Sequence, residues 1–235
     1  MPAAIHSDSE LSEFLLRACH DLRGPLRTIR IHSELLSRAR EGSDRVREGS
    51  SRVGDGSEQS LAFVQNSAVT AGVLVDGITD YALALAINES RFQPTPLDVM
   101  LRSAMAKLAS QIRESAAEVT YGELPTVRGD ADRLLQLFEY LLDNALRRRG
   151  SNRPAIRIDA ELENGAWLFT FRDDCTGIEA ESLERAFTPF ARMYGNQRPG
   201  PGLAICRAIV ERHGGKMWAE PDADGCVIRF TLPEG

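Results

Sequence analysis

Residues 202–220 read GLAICRAIVERHGGKMWAE. This run predicts a helix from about Leu203 that stops at His213-Gly214-Gly215, since a glycine can take the left-handed backbone that ends a helix. Lys216–Ala219 follows at once as a strand, and Val227–Leu232 reads as another. Upstream, Ala155–Glu161 and Ala166–Phe171 alternate like a hairpin turned by Glu163-Asn164-Gly165. Before them comes a helix through Arg149, with Asp130 or Asp132 as its cap. A short strand at Glu118–Tyr121, a helix from about Asp98 to Ser115 and an extended segment at Phe92–Leu97 complete the region. Residues 91–235 are thereby predicted to form an α+β sandwich, with helices on one face of a mixed sheet.

Residues 8–90 have another character. Phe14, Ala18, Leu22, Leu26, Ile29, Ser33 and Leu36 recur at three- and four-residue steps, as do Leu61, Val64, Ala68, Ala71, Val75, Ile78 and Ala82. Between the two stripes lie REGSDRV, REGSSRV and GDGSEQS (residues 40–60), a polar seven-residue echo read as a solvated extension around a turn. Two amphipathic helices bury little by themselves, so the hairpin is expected to pair with a second copy as a four-helix bundle.

Composition narrows the function classes. The 235 residues are 43% hydrophobic and 26% charged, as in globular proteins, and carry a net charge of −6. That sign argues against nucleic acid as a partner. Cys19, Cys175, Cys206 and Cys226 lack metal-site spacing and read as reduced thiols in a cytoplasmic protein. The opening MPAAIHSDSELSE is not a signal peptide. Val73–Ile87 is too short to span a bilayer and is interrupted by Asp76 and Asp80, so no membrane contact is expected within the chain.

One stretch of the first helix stands out: HDLRGPL, residues 20–26. His20 lies two residues past Ala18, about 200° around the helix from the apolar stripe, and should face outward. Asp21 can accept the Nδ1 proton of the histidine and leave Nε2 as a nucleophile. Pro25 removes the amide that would bond to the Asp21 carbonyl and is expected to bend the helix.

His-Asp-x-x-x-Pro on an amphipathic helix resembles the H-box of sensor histidine kinases, and CHDLRGPLRTI is most similar to the phytochrome-type subgroup. LFEYLLDNALRRRG (137–150) resembles the kinase N-box and FRDDCTGIEAE (171–181) the first glycine box. AFTPFARM (186–193) resembles the F-box, and residues 202–220 the second glycine box with its helix and strand. The resemblance implies that His20 is the phosphoacceptor and Asp21 its acid/base partner. It assigns nucleotide binding to Asn144, Arg147, Asp173, Gly177, Gly200, Gly202 and Leu203, with Asn144 also coordinating Mg²⁺. ATP would be the phosphoryl donor, a response-regulator receiver domain the recipient, and the hairpin the homodimer contact.

The chemistry suits these residue types. An amide oxygen is a fitting ligand for a hard cation. The carboxylate of Asp173, at a strand end, could accept the adenine N6 amine. Gly177 would let backbone approach the base, and Gly200 and Gly202 precede a helix N-terminus suited to phosphate oxygens. Phe187 and Phe190 would pack a lid against the body. The departures fall together: Tyr140 replaces the first Asn of the N-box, Asp174 and Cys175 alter the first glycine box, and Arg198 and Pro201 alter the second. They predict a weakened or lost grip on ATP. Two other readings follow: a phosphotransfer or docking module that takes phosphate from a partner, and an ATPase outside signalling.

Overall fold

In the computed structural model, residues 4–45, 53–147, 153–173, 187–188, 202–222 and 225–234 are described. The chain divides into two compact units, Met1–Thr79 and Asp80–Gly235.

The first unit is built from α1 (Ala4–Arg45) and most of α2 (Val53–Leu85). Both helices extend into the seven-residue echo, of which 46–52 lie outside the described residues. Ala18 is buried, and His32 of α1 stacks on Phe63 of α2 with ring centroids 4.6 Å apart. The stripes are only partly covered: Leu26, Leu61 and Val75 stay about half exposed. The stretch Glu58–Leu85 is long and apolar enough, by length and composition, to cross a membrane. It is longer than the 73–87 window considered from sequence.

The second unit opens with the last turn of α2 and one 3₁₀ turn at Glu89–Arg91. Then follow β1 (Gln93–Pro96), α3 (Leu97–Lys107), α4 (Ala109–Ser115), β2 (Glu118–Tyr121), β3 (Thr126–Gly129) and α5 (Ala131–Arg147). The hairpin β4 (Ala155–Glu163) and β5 (Ala166–Asp173) comes next, then α6 (Gly202–Arg212), β6 (Met217–Asp222) and β7 (Gly225–Pro233). The main sheet has the order β2-β4-β5-β7-β6, parallel at β2–β4 and antiparallel elsewhere. β1 and β3 form a separate antiparallel pair.

Alternation places the core. Ile156, Ile158, Phe169, Phe171 and Phe230 are buried on one sheet face, and Phe169 stacks on Phe230 at 4.6 Å. Leu134, Leu137, Phe138, Leu141, Leu142 and Ala145 bury the matching stripe of α5, which packs between α3 and α6. Burying each large apolar side chain supplies about 1.5–3 kcal/mol. Asp130 caps α5 by accepting the Arg133 amide at 3.3 Å. The β4–β5 turn has φ of 51° at Asn164 and 78° at Gly165, the positive values that a two-residue hairpin turn requires.

The α+β sandwich behind a helical hairpin is as expected, with two differences. The helix expected over 98–115 breaks at Leu108, where φ −95° and ψ 12° separate α3 from α4. β3 was not foreseen.

Candidate active site

His20 projects from α1 with 74% of its side chain exposed, while Asp21 is mostly covered. Nδ1 of His20 lies 3.2 Å from Oδ1 of Asp21. An ionised carboxylate only accepts, so this contact places the proton on Nδ1 and leaves the Nε2 lone pair for chemistry. α1 continues through Pro25. Gly24 eases this passage, because a Cβ before proline would crowd the pyrrolidine ring in a helical backbone.

The other described candidates lie in the second unit. Asp173 closes β5 and is buried, its backbone in register with Ile156 and Cys226. Asn144 lies on α5, and its Nδ2 is buried without a hydrogen-bond partner among the described residues. Gly202 is the first residue of α6, and Leu203 buries its side chain, leaving its backbone N–H at the helix start. Arg147 gives its guanidinium to Asp143 one turn earlier, at 2.8 Å. Gly177 and Gly200 lie outside the described residues, as do Asp174, Cys175, Phe190, Arg198 and Pro201.

Neighbouring groups complete the setting. Lys107 of α3 forms an ion pair with Glu139. Arg207 of α6 lies over the ring of Phe187 at 4.0 Å from its centroid, a cation–π contact. Cys206 is buried, which pushes its thiol pKa well up and leaves it unreactive. Tyr140 donates its hydroxyl to Oδ2 of Asp80 at 2.5 Å.

Residues 129–235 match the family of histidine kinase-, DNA gyrase B-, and HSP90-like ATPases, to which this part of the chain is similar. Across 97% of its length the chain is 31% identical to cyanobacterial phytochrome A of Nostoc sp. (strain PCC 7120), and it covers 29% of that protein. The chain thus spans less than a third of the phytochrome-type relatives it matches. The nucleotide-free catalytic domain of the histidine kinase ThkA is 28% identical, with a TM-score of 0.55, over 61% of this chain and 95% of that one. ThkA in complex with the response regulator protein TrrA shares the fold across 98% of this chain and 64% of that one, with a TM-score of 0.67 at 22% identity.

Within the matched residues, Asn144, Asp173 and Gly202 come from α5, the end of β5 and the start of α6. The Nδ2 donor of Asn144, unmet among the described residues, would be satisfied by a phosphate oxygen, and its Oδ1 is the atom of this side chain that could meet a hard cation. Among the described residues no cluster of three or more His, Cys, Asp or Glu could hold a metal alone. Sequence reading missed Asp80 as the partner of Tyr140. Its signal was present: an acid interrupting the apolar run of α2.

Proposed function

We propose that this chain is the catalytic core of a sensor histidine kinase that moves the γ-phosphoryl group of ATP to His20 and then to an aspartate of a response regulator. The observation that carries this reading is the His20 Nδ1 contact with Asp21, on an exposed helix face in a chain that also carries the ATPase domain. Nε2 of His20 supplies the electron pair for the new N–P bond, the bond from γ-phosphorus to the β–γ bridging oxygen breaks, and that oxygen leaves with ADP. Asp21 holds the Nδ1 proton and offsets the positive charge that grows on the ring. Asn144 would hold Mg²⁺, which neutralises phosphate charge when bound. Asp173 would accept from the adenine amine, and Gly177, Gly200, Gly202 and Leu203 would offer backbone to base and phosphates.

Residues 8–90 would serve dimerisation and phosphotransfer, and 91–235 nucleotide binding. The half-exposed apolar residues of α1 and α2 support a homodimer through the hairpin, which light scattering would detect. Cytoplasmic location is part of the same proposal.

The test is incubation with Mg²⁺ and γ-labelled ATP. Acid-labile, base-stable label that vanishes in His20→Gln supports the kinase. Absence of both label and measurable nucleotide binding would sink it. One observation favours a second reading, a module that receives phosphate from a partner: Arg147, expected to face phosphates, is paired with Asp143. That reading requires a phosphorylated receiver domain to label His20 without ATP.

A further inference from the structure

Tyr140 joins three parts of the second unit that lie far apart in sequence. Its backbone belongs to α5, one turn before Asn144. Its hydroxyl is bound by Asp80 in the last turns of α2. Its ring lies against Gly202 at the start of α6, where an added Cβ would sit 3.0 Å from Cδ1 and 3.6 Å from Cγ. The Asp80 end is itself anchored, because the adjacent Tyr81 is 7% exposed and Ala84 0%. Burial raises the Tyr140 pKa, and the bond to Asp80 raises it further, so the hydroxyl remains a donor.

We infer that Tyr140 is a positioning residue that fixes the N-terminus of α6, and that Asp80 in turn fixes Tyr140. A phenol held at its hydroxyl cannot swing about χ1, so its ring presents a constant wall to Gly202. Gly202 is suited to that role because its bare Cα lets the ring approach. The first amides of α6 have no partner within the helix, and their position decides how well they meet an anion. The last turns of α2 are therefore tied to the phosphate end of the site. This consequence for ATP rests on the kinase reading; the effect on α6 does not.

Hydrogen exchange on the full chain separates the two. Tyr140→Phe keeps the ring and removes the anchor, and Asp80→Ala removes the acceptor. Each should speed exchange of the amides of 202–206 by about threefold or more, with the β4–β5 hairpin unchanged. The double variant should exceed neither single by much, because both break one link. Exchange at 202–206 equal to wild type, or a rise spread evenly over the domain, would overturn the inference. A trinitrophenyl-ATP titration adds a second arm. If the wild type binds, both variants should bind at least about tenfold more weakly, up to the roughly hundredfold that one charge-assisted hydrogen bond can supply. Unchanged affinity would count against Tyr140 as a positioning residue. If the wild type binds no nucleotide, the ATP reading fails and the exchange result still decides the role of Tyr140.

Discussion

The imidazole of His213 lies flat on the ring of Phe92, with centroids 4.6 Å apart and planes 1° from parallel. Nε2 accepts the Asp130 amide at 3.0 Å, and Nδ1 donates to the Ile209 carbonyl at 2.7 Å. Both nitrogens are committed in the neutral ring, and burial, the largest influence, holds the pKa below the ordinary histidine value. The unfolded chain therefore takes up this proton first. Stability from neutral His213 is full above the unfolded pKa of about 6.5 and is lost as pH falls from there toward the folded pKa. Denaturant melts at about pH 7.5 and 5.5 should show wild type losing more stability than His213→Asn, itself weaker by about 2 kcal/mol at the higher pH. Equal pH dependence in the two chains would refute this.

Two glycines should respond in opposite directions. A Cβ at Gly215 would sit 1.8 Å from the Thr231 carbonyl oxygen, which is backbone and cannot turn aside. Gly215→Ala should destabilise by about 3 kcal/mol or more. Gly72 lies inside α2, and outside its own helix backbone no described residue comes within 4 Å of an added Cβ, so Gly72→Ala should stabilise by up to about 1 kcal/mol. Chemical denaturation of both variants is the check.

An ATPase outside signalling would need an acid near the N-box-like stretch to activate a water, and Glu139, the acid there, is engaged by Lys107. Glu139→Gln should leave His20 labelling and ATP hydrolysis within about twofold, and stability within about 1 kcal/mol. A drop of tenfold or more in hydrolysis would restore the reading of an ATPase outside signalling.

Asp21→Asn keeps the shape beside His20 and loses the charge. Initial rates of labelling from ATP should fall by about 10²-fold or more, the scale of a lost acid–base partner, while the circular dichroism spectrum stays unchanged. Rates near wild type would mean that Asp21 serves the helix and not the histidine.

Where the sequence announced an element, it did so through patterns local to that element. The stripe of α5, the Asn164-Gly165 turn and the stop at Gly214 were legible because spacing and φ depend on near neighbours. β3 was not legible: Thr126–Gly129 is four residues long and becomes a strand by pairing with β1, where the Thr95 hydroxyl donates to the Gly129 carbonyl. The break at Leu108 has no Gly or Pro to mark it. The residues that resemble an H-box and an N-box could be named because their order along the chain carries the pattern. The Asp80–Tyr140 bond spans 60 residues and depends on packing that periodicity does not encode.

The order of the main sheet has a consequence for synthesis. β7 lies between β5 and β6, although every other strand precedes it in the chain. While the ribosome is still extending the protein, β5 can pair with β4 but its other edge waits, and Phe169 lacks the ring of Phe230. Such an open, apolar edge recruits other strands. The interval before Gly225–Pro233 emerges is thus when a nascent chain most needs a chaperone, and a stop codon just before this strand should yield aggregate instead of a smaller folded domain.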